Sequence, residues 1–125
     1  MNFRSSRRYG VLGVAIFGFA LAVAGSSADA CEVCRVNQIR ARSGLPQLAA
    51  DPQLMALAQQ KAHAMASRGI TGHPGGSLGT ARAEGVGWSS NNQFRTCFLY
   101  SGGFRAAGAA TVRGPNGYHH VLLVR

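Results

Sequence analysis

The first apolar residues with helical spacing after the N-terminal stretch lie within residues 33–43. Val33, Val36 and Ile39 fall three apart and therefore lie on one side of a helix. Gly44 follows them, and a glycine at this place, with a proline two residues later, ends a helix. The pattern predicts a first helix over residues 33–43.

A second, longer helix is predicted to start after Asp51 and to run to about Arg68. Asp51 offers a side-chain cap, and Pro52 fits the first helical position, where its missing N–H costs nothing. Gly69 is the natural terminator. The apolar stripe of this helix consists of Leu54, Leu57, Ala58, Ala62, Met65 and Ala66.

A glycine-rich loop and a short strand follow the second helix. Residues 70–80 contain four glycines and a proline, which is typical of a loop. Residues 83–88 predict a strand on which Glu84, Val86 and Trp88 share one face.

The C-terminal third predicts a short helix and a hairpin. Within residues 89–103, apolar side chains recur at helical spacing, which predicts a third helix. Residues 107–112 and 118–124 predict two strands joined by a Gly-Pro-Asn-Gly turn. The second of these strands is apolar on both faces after residue 120, so we expect protein layers on both sides of the sheet. The fold class is therefore α+β, with a three-layer α-β-α sandwich as the expected architecture.

The N-terminal thirty residues have the pattern of a secretory signal peptide. Three arginines and no acid lie in the first ten residues, a short apolar stretch follows over 11–24, and Ala28-Asp29-Ala30 forms the cleavage site. This apolar stretch is shorter than a spanning helix needs, and no later segment is apolar enough to cross a membrane. The sequence predicts a signal peptide over 1–30, a domain over 31–125, and a secreted or periplasmic location.

Charge narrows the class of partner without selecting one. The chain has thirteen basic and four acidic residues, of which three arginines and one aspartate lie in the signal peptide, leaving +7 for residues 31–125. Such a charge favours anionic partners, for example envelope polymers or lipid headgroups. The arginines are scattered and do not alternate with aromatic residues, so no specific nucleic-acid site is predicted.

Three cysteines remain in the predicted exported domain. Disulfides form outside the cytoplasm, and we expect a bridge between Cys34 and Cys97. Cys31, at the predicted new N-terminus, is then free or carries a lipid, although Ala28-Asp29-Ala30 is a poor lipidation signal. A redox pair of Cys31 and Cys34, or a zinc site from three thiols and a histidine, are the alternatives.

Several motifs resemble the CAP superfamily of cysteine-rich secretory, antigen-5 and pathogenesis-related-1 proteins. The motifs are Val36-Asn37-x-x-Arg40-x-x-x-Gly44-Leu45-Pro46, Gly72-His73 and Ala83-Glu84-Gly85-Val86-Gly87. The resemblance implies an α-β-α sandwich whose cleft holds two histidines and two acids, sometimes with zinc. On this chain it places the first histidine at His73 and the first acid at Glu84.

The second half of that cleft is missing from the sequence. Where the family has Ser-Pro-Gly-His-Arg-Ala, this chain has Phe104 in place of the histidine, and residues 92–101 contain no acid. The chain is also about ten residues short between Phe104 and Gly108, which truncates the C-terminal half of the fold. His119 or His120 is a weaker candidate for a third ligand, and only one of them can face the cleft, because adjacent strand residues point to opposite faces.

Three hypotheses for function follow. The first is an exported, non-catalytic binding protein whose ligand is anionic, a lipid, a glycan or another protein. The second is a metal-dependent hydrolase or protease that uses His73 and Glu84 with a weakly bound zinc ion, although zinc prefers three or four protein ligands. The third is a degenerate domain that keeps the fold alone.

Overall fold

The computed structural model describes residues 32–125, so the predicted signal peptide and Cys31 lie outside the described residues. Two helices and a four-stranded mixed sheet form the described part, which confirms the α+β class. Helix α1 covers residues 32–42, and helix α2 covers Pro52–Arg68. The strands are β1 (Ala49–Ala50), β2 (Ala83–Ser89), β3 (Ala106–Gly114) and β4 (Gly117–Val124).

The ends of α2 follow from the residues that predicted them. The Asp51 carboxylate accepts hydrogen bonds from the backbone N–H groups of Gln53 and Leu54, and Gly69 adopts the left-handed conformation with φ 66°. Hydrogen bonds from the Leu54 N–H and from Arg125 hold the pKa of Asp51 below its usual value. The cap therefore stays ionised and stabilises the N-terminus of the helix.

The sheet has the order β1-β3-β4-β2. β1 pairs in parallel with β3, whereas β4 lies antiparallel between β3 and β2. The predicted hairpin is confirmed, since Gly114 pairs with Gly117 across the turn. β4 is one of the two inner strands, and its residues 121–124 are fully buried, as expected for a strand covered on both faces.

Helix α2 covers one face of the sheet and lies along β3. Gly108 lets the backbone of Leu54 approach the strand so closely that a Cβ at this position would overlap it. At the other end of the helix, Ala66 lies against Gly114. The core on this α2 face consists of Leu54, Ala58, Ala62, Met65, Ala110, Val121 and Leu123.

Helix α1 and the segment 90–105 cover the opposite face, which we call the α1 face. Its core consists of Val33, Val36, Leu48, Phe94, Leu99, Ala107, Ala109, Leu122 and Val124. Arg40, which is 1% exposed, donates hydrogen bonds to the carbonyls of Pro46, Leu99 and Ser101. This buried guanidinium thus ties α1 to the irregular segment.

The predicted third helix over 89–103 is wrong, because residues 90–105 form bends and turns and no helix. This segment lies directly on β2, where the missing side chains of Gly85 and Gly87 make room for the backbone of Cys97 and Arg95. Phe98 adopts a positive φ of 67°, which a helix does not allow. Contact with the sheet, rather than helical propensity, determines this backbone.

Within residues 32–125, no helix combines the length and the apolar character needed to cross a membrane.

Candidate functional site

The two residues that the sequence placed in a cleft lie in direct contact. His73, in the loop after α2, has its Nδ1 atom 2.7 Å from Oε1 of Glu84 on β2. The His73 side chain is 59% exposed, whereas that of Glu84 is 7% exposed. The predicted pair therefore exists, with a buried acid and a histidine that reaches solvent.

Sequence reasoning missed the second partner of Glu84, which is Lys61. Its ammonium nitrogen lies 2.8 Å from Oε2 of Glu84, and the Lys61 side chain is only 6% exposed. This second partner is the single lysine of the chain. Its place on α2, three residues after Ala58 and four before Met65, was the available signal, because those positions belong to the buried stripe.

Hydrogen bonds from Lys61 and Arg68, together with the His73–Glu84 contact, anchor the loop between α2 and β2. Lys61 also donates a hydrogen bond of 2.8 Å to the carbonyl of Gly75, and Arg68 donates one of 3.3 Å to the carbonyl of Pro74. With the His73–Glu84 contact, these bonds attach the loop to α2 and to β2. We call Lys61, His73 and Glu84 the clamp.

The donor set of the clamp does not fit a divalent metal ion. The Lys61 ammonium already contacts one Glu84 oxygen and would repel a divalent cation there, and two ligands fall short of the three or four that zinc needs. Among residues 32–125, no three or more His, Cys, Asp or Glu side chains are close enough together to hold a metal.

His120 lies on the opposite face of the sheet from the clamp and is fully buried. Its Nε2 atom is 2.7 Å from Oγ of Ser89, and its Nδ1 atom is 2.8 Å from Oγ1 of Thr111. Thr111 in turn donates a 2.7 Å hydrogen bond to Glu32, which also pairs with Arg35. Because Thr111 gives its proton to Glu32, Nδ1 is the donor and Nε2 accepts from Ser89.

This His120 network has the order of a nucleophile, a base and an acid, but it is closed to substrate. Ser89 is only 3% exposed, and the ring of Phe94 packs on His120 with ring centres 5.0 Å apart. Burial, with a smaller effect of Arg35, lowers the pKa of His120 to about 4. A neutral imidazole that fills its hydrogen bonds inside a core has a structural role.

His119 points to the α2 face, next to Trp88 on the neighbouring strand. It is 3% exposed, and its Nδ1 atom has no hydrogen-bond partner within the described part of the chain. Neither His119 nor His120 joins His73 and Glu84, so the predicted third ligand is absent from the clamp.

The structure does not show the expected disulfide, since Cys34 and Cys97 are both free and exposed in it. Cys34 lies outside the buried positions Val33 and Val36 of α1, whereas Cys97 follows the backbone that crosses β2 at Gly85.

Phe104, in the place of the family's second histidine, is a packing residue. Its ring meets that of Phe98 edge to face with centres 6.2 Å apart, and the Arg82 guanidinium lies 5.3 Å from its centre. β3 begins two residues later, at Ala106, so no further segment lies between them.

Of three comparisons with known proteins, the one with family models gives a match. A search of the curated proteins gives no significant match, and a search of the solved structures gives none either. The model of the cysteine-rich secretory protein (CAP) family matches residues 33–121, which include α1, the clamp and most of the sheet. The chain therefore belongs to the CAP family.

Proposed function

We propose that this chain is an exported CAP domain that binds an anionic ligand and does not catalyse a reaction. One observation carries the proposal: the buried Glu84 has one oxygen against Lys61 and the other against His73. A carboxylate held in this way cannot also take a proton from substrate or ligate a metal without breaking the clamp. Glu84, the acid of the half-preserved cleft, thus has a structural role.

Export is part of this proposal. The charged start, short apolar stretch and Ala28-Asp29-Ala30 of residues 1–30 support secretion to the periplasm or the outside of the cell. In either place the domain would meet phosphate-, carboxylate- and sulfate-bearing polymers and lipids.

The distribution of charge supports an anionic ligand. Each acid in residues 32–125 has a basic partner, in the pairs Glu32–Arg35, Asp51–Arg125 and Glu84–Lys61. The remaining arginines have no acidic partner in this part of the chain. Because each of these acids is neutralised by a neighbouring base, the unpaired arginines give the surface a positive potential. Such a potential attracts anions, and the arginines can also contact them directly.

A cleft on the α1 face offers a place for such a ligand. It has a volume of about 360 Å³, and its lining includes two arginines, three amide side chains and two aromatic rings. Arg35 and Arg42 are seven residues apart on α1, so both guanidinium groups lie on the same side of the helix. We call this the arginine cleft. It is lined by Arg35, Gln38, Ile39, Arg42, Ser43, Asn92, Gln93, Phe94 and Tyr100.

Binding of the secreted protein to heparin and to phosphatidylglycerol vesicles tests the proposal and separates an acidic polymer from a lipid headgroup. We expect Arg42→Ala to weaken binding to the preferred probe about tenfold, since a charge-assisted contact is lost from the cleft. Arg113→Ala removes the same charge from the exposed part of the hairpin and is the matched control. Equal losses in both variants, or no binding to either probe, would overturn the proposal.

Calorimetric titration with zinc tests the alternative of a metal-dependent enzyme. We expect no heat of specific binding with the wild-type protein. Saturable zinc binding that His73→Ala abolishes would favour the enzyme and contradict the role given to the clamp.

A further inference from the structure

A second cavity lies on the α2 face, between the β3–β4 turn and the start of the loop after α2. Its volume is about 290 Å³, at the lower end of the range for small-molecule sites, which suits one ring-sized ligand. We call it the Trp88 cavity. It is lined by Gly69, Thr71, Trp88, Pro115, Asn116 and His119.

The Trp88 side chain forms one wall of this cavity and rests on the hairpin backbone. A Cβ at Gly117 would lie 2.7 Å from Cζ2 of the indole, so only a glycine leaves room for the ring there. Trp88 is nevertheless 37% exposed. The indole is therefore supported from below by the hairpin and is accessible from the cavity.

His119 lies opposite Trp88 in the strand pair and forms the floor of the cavity. A second glycine makes room for it, because a Cβ at Gly114 would lie 3.0 Å from Nε2 of the imidazole. Although the residue is 3% exposed, its Nδ1 atom makes no hydrogen bond to any described residue. A buried polar atom without a partner needs an explanation, and a bound ligand or a water it displaces is one.

The lining has no charged side chain, which distinguishes this cavity from the arginine cleft. The Thr71 hydroxyl, the Asn116 amide and the His119 imidazole can each donate and accept hydrogen bonds. An aromatic wall beside such groups suits a ligand that has an apolar face and a rim of hydroxyl groups. A neutral pyranose ring has this form, with C–H groups on its face and hydroxyls around its edge.

We propose that the Trp88 cavity binds one ring of a neutral sugar. The indole packs against the face of the ring, and Asn116, Thr71 and His119 hydrogen-bond its hydroxyl groups. The site goes beyond the proposed function, since it lies on the other face of the sheet from the arginine cleft. It is also separate from the clamp, because Trp88 is four strand residues, or roughly 13 Å, from Glu84.

Trp88 is the single tryptophan of the chain, so intrinsic fluorescence reports on this cavity directly. The purified protein is titrated with chitotriose, cellotriose and maltotriose up to about 10 mM, which detects affinities in the millimolar range. We expect at least one of these sugars to change the emission of Trp88 with saturation. No saturable change with any of the three would overturn the proposal.

Variants separate this cavity from binding elsewhere, with affinity then measured by calorimetry. Asn116 is an exposed turn residue, so Asn116→Ala should fold normally, and we expect a loss of affinity of about fivefold or more. Trp88→Ala should abolish binding and Trp88→Phe should retain part of it, since phenylalanine keeps an aromatic wall. Arg42→Ala is the control and should bind the sugar as the wild type does. Unchanged affinity in both Asn116→Ala and Trp88→Ala would contradict the assignment.

Discussion

A histidine lies near an acid on each face of the sheet, but the two histidines differ in exposure and in role. On the α2 face, His73 contacts Glu84 and is more than half exposed, while Lys61 neutralises the acid from within. On the α1 face, His120 is fully buried, and Thr111 connects it to Glu32. The first arrangement attaches a loop, and the second fills a core. Residue types alone did not distinguish them, because exposure and the third partner decide each role.

The largest expected effect concerns how closely the layer on each face packs against the sheet. Gly108→Ala places a methyl group in the backbone of Leu54, and a helix packed along β3 cannot yield locally. We expect a loss of more than about 4 kcal/mol in the free energy of unfolding, measured by urea denaturation.

Gly87→Ala is the counterpart on the α1 face, where the new methyl group meets the backbone carbonyl of Arg95. The segment over β2 is irregular and can shift, so we expect a smaller loss than at Gly108. A greater loss at Gly87 would show that the irregular segment is the more rigid cover.

Lys61→Met removes the internal cation of the clamp while keeping most of the side-chain volume. Glu84 is then a buried carboxylate whose remaining partner is His73, and we expect a destabilisation of about 3 kcal/mol by thermal and urea unfolding. The double variant Lys61→Met/Glu84→Gln removes both charges and should recover a large part of this loss. If the double variant is no more stable than Lys61→Met, the pair is not coupled as described.

Lowering the pH should reduce the stability of the fold through His120 on the α1 face. Its folded-state pKa of about 4 is below the unfolded value of 6.5, so the unfolded chain binds more protons between these values. Stability is therefore fully present above about pH 6.5 and decreases as the pH falls to about 4, by up to about 3 kcal/mol. His120→Gln should flatten this dependence, measured as urea midpoints across the range. The lowered pKa of Asp51 acts only below its usual value of 3.8, outside this window.

The smallest effect is expected at the exposed end of the clamp. His73→Ala breaks a contact whose histidine is largely in water, so the loss should be below about 1 kcal/mol. The loop over residues 70–80 should nevertheless become easier to cleave, which limited proteolysis followed by mass spectrometry measures. Cleavage at the wild-type rate would mean that Lys61 and Arg68 hold the loop without His73.

Local rules predicted the parts of this fold that have local causes. Asp51, Pro52 and Gly69 give the ends of α2, and the Gly-Pro-Asn-Gly turn gives the hairpin. Segment 90–105 has no such cause, since its backbone follows the space above Gly85 and Gly87. Periodicity of Phe94 and Phe98 therefore indicated a helix where tertiary contact decides.

Only part of the candidate site was predicted from the sequence, for a similar reason. Family motifs give His73 and Glu84, which the structure brings together. Lys61 was not predicted as part of the site, because lysine is usually an exposed residue. Only the packing of α2 over the sheet shows that its ammonium group is buried. The unpartnered nitrogen of His119 is likewise invisible in a sequence, since it depends on what the hairpin leaves beside it.

The close approach of α2 to β3 also sets how insertions are tolerated. Leu54 lies at Gly108 and Ala66 at Gly114, so twelve helical residues, about 18 Å, span the same distance as six strand residues, about 20 Å. One residue added to the middle of α2 would turn every later side chain by about 100° and move Lys61 away from Glu84. The loop over 70–80, held by a few side chains, has no such length to match. Changes in length during the history of this domain should therefore collect in that loop and spare the helix.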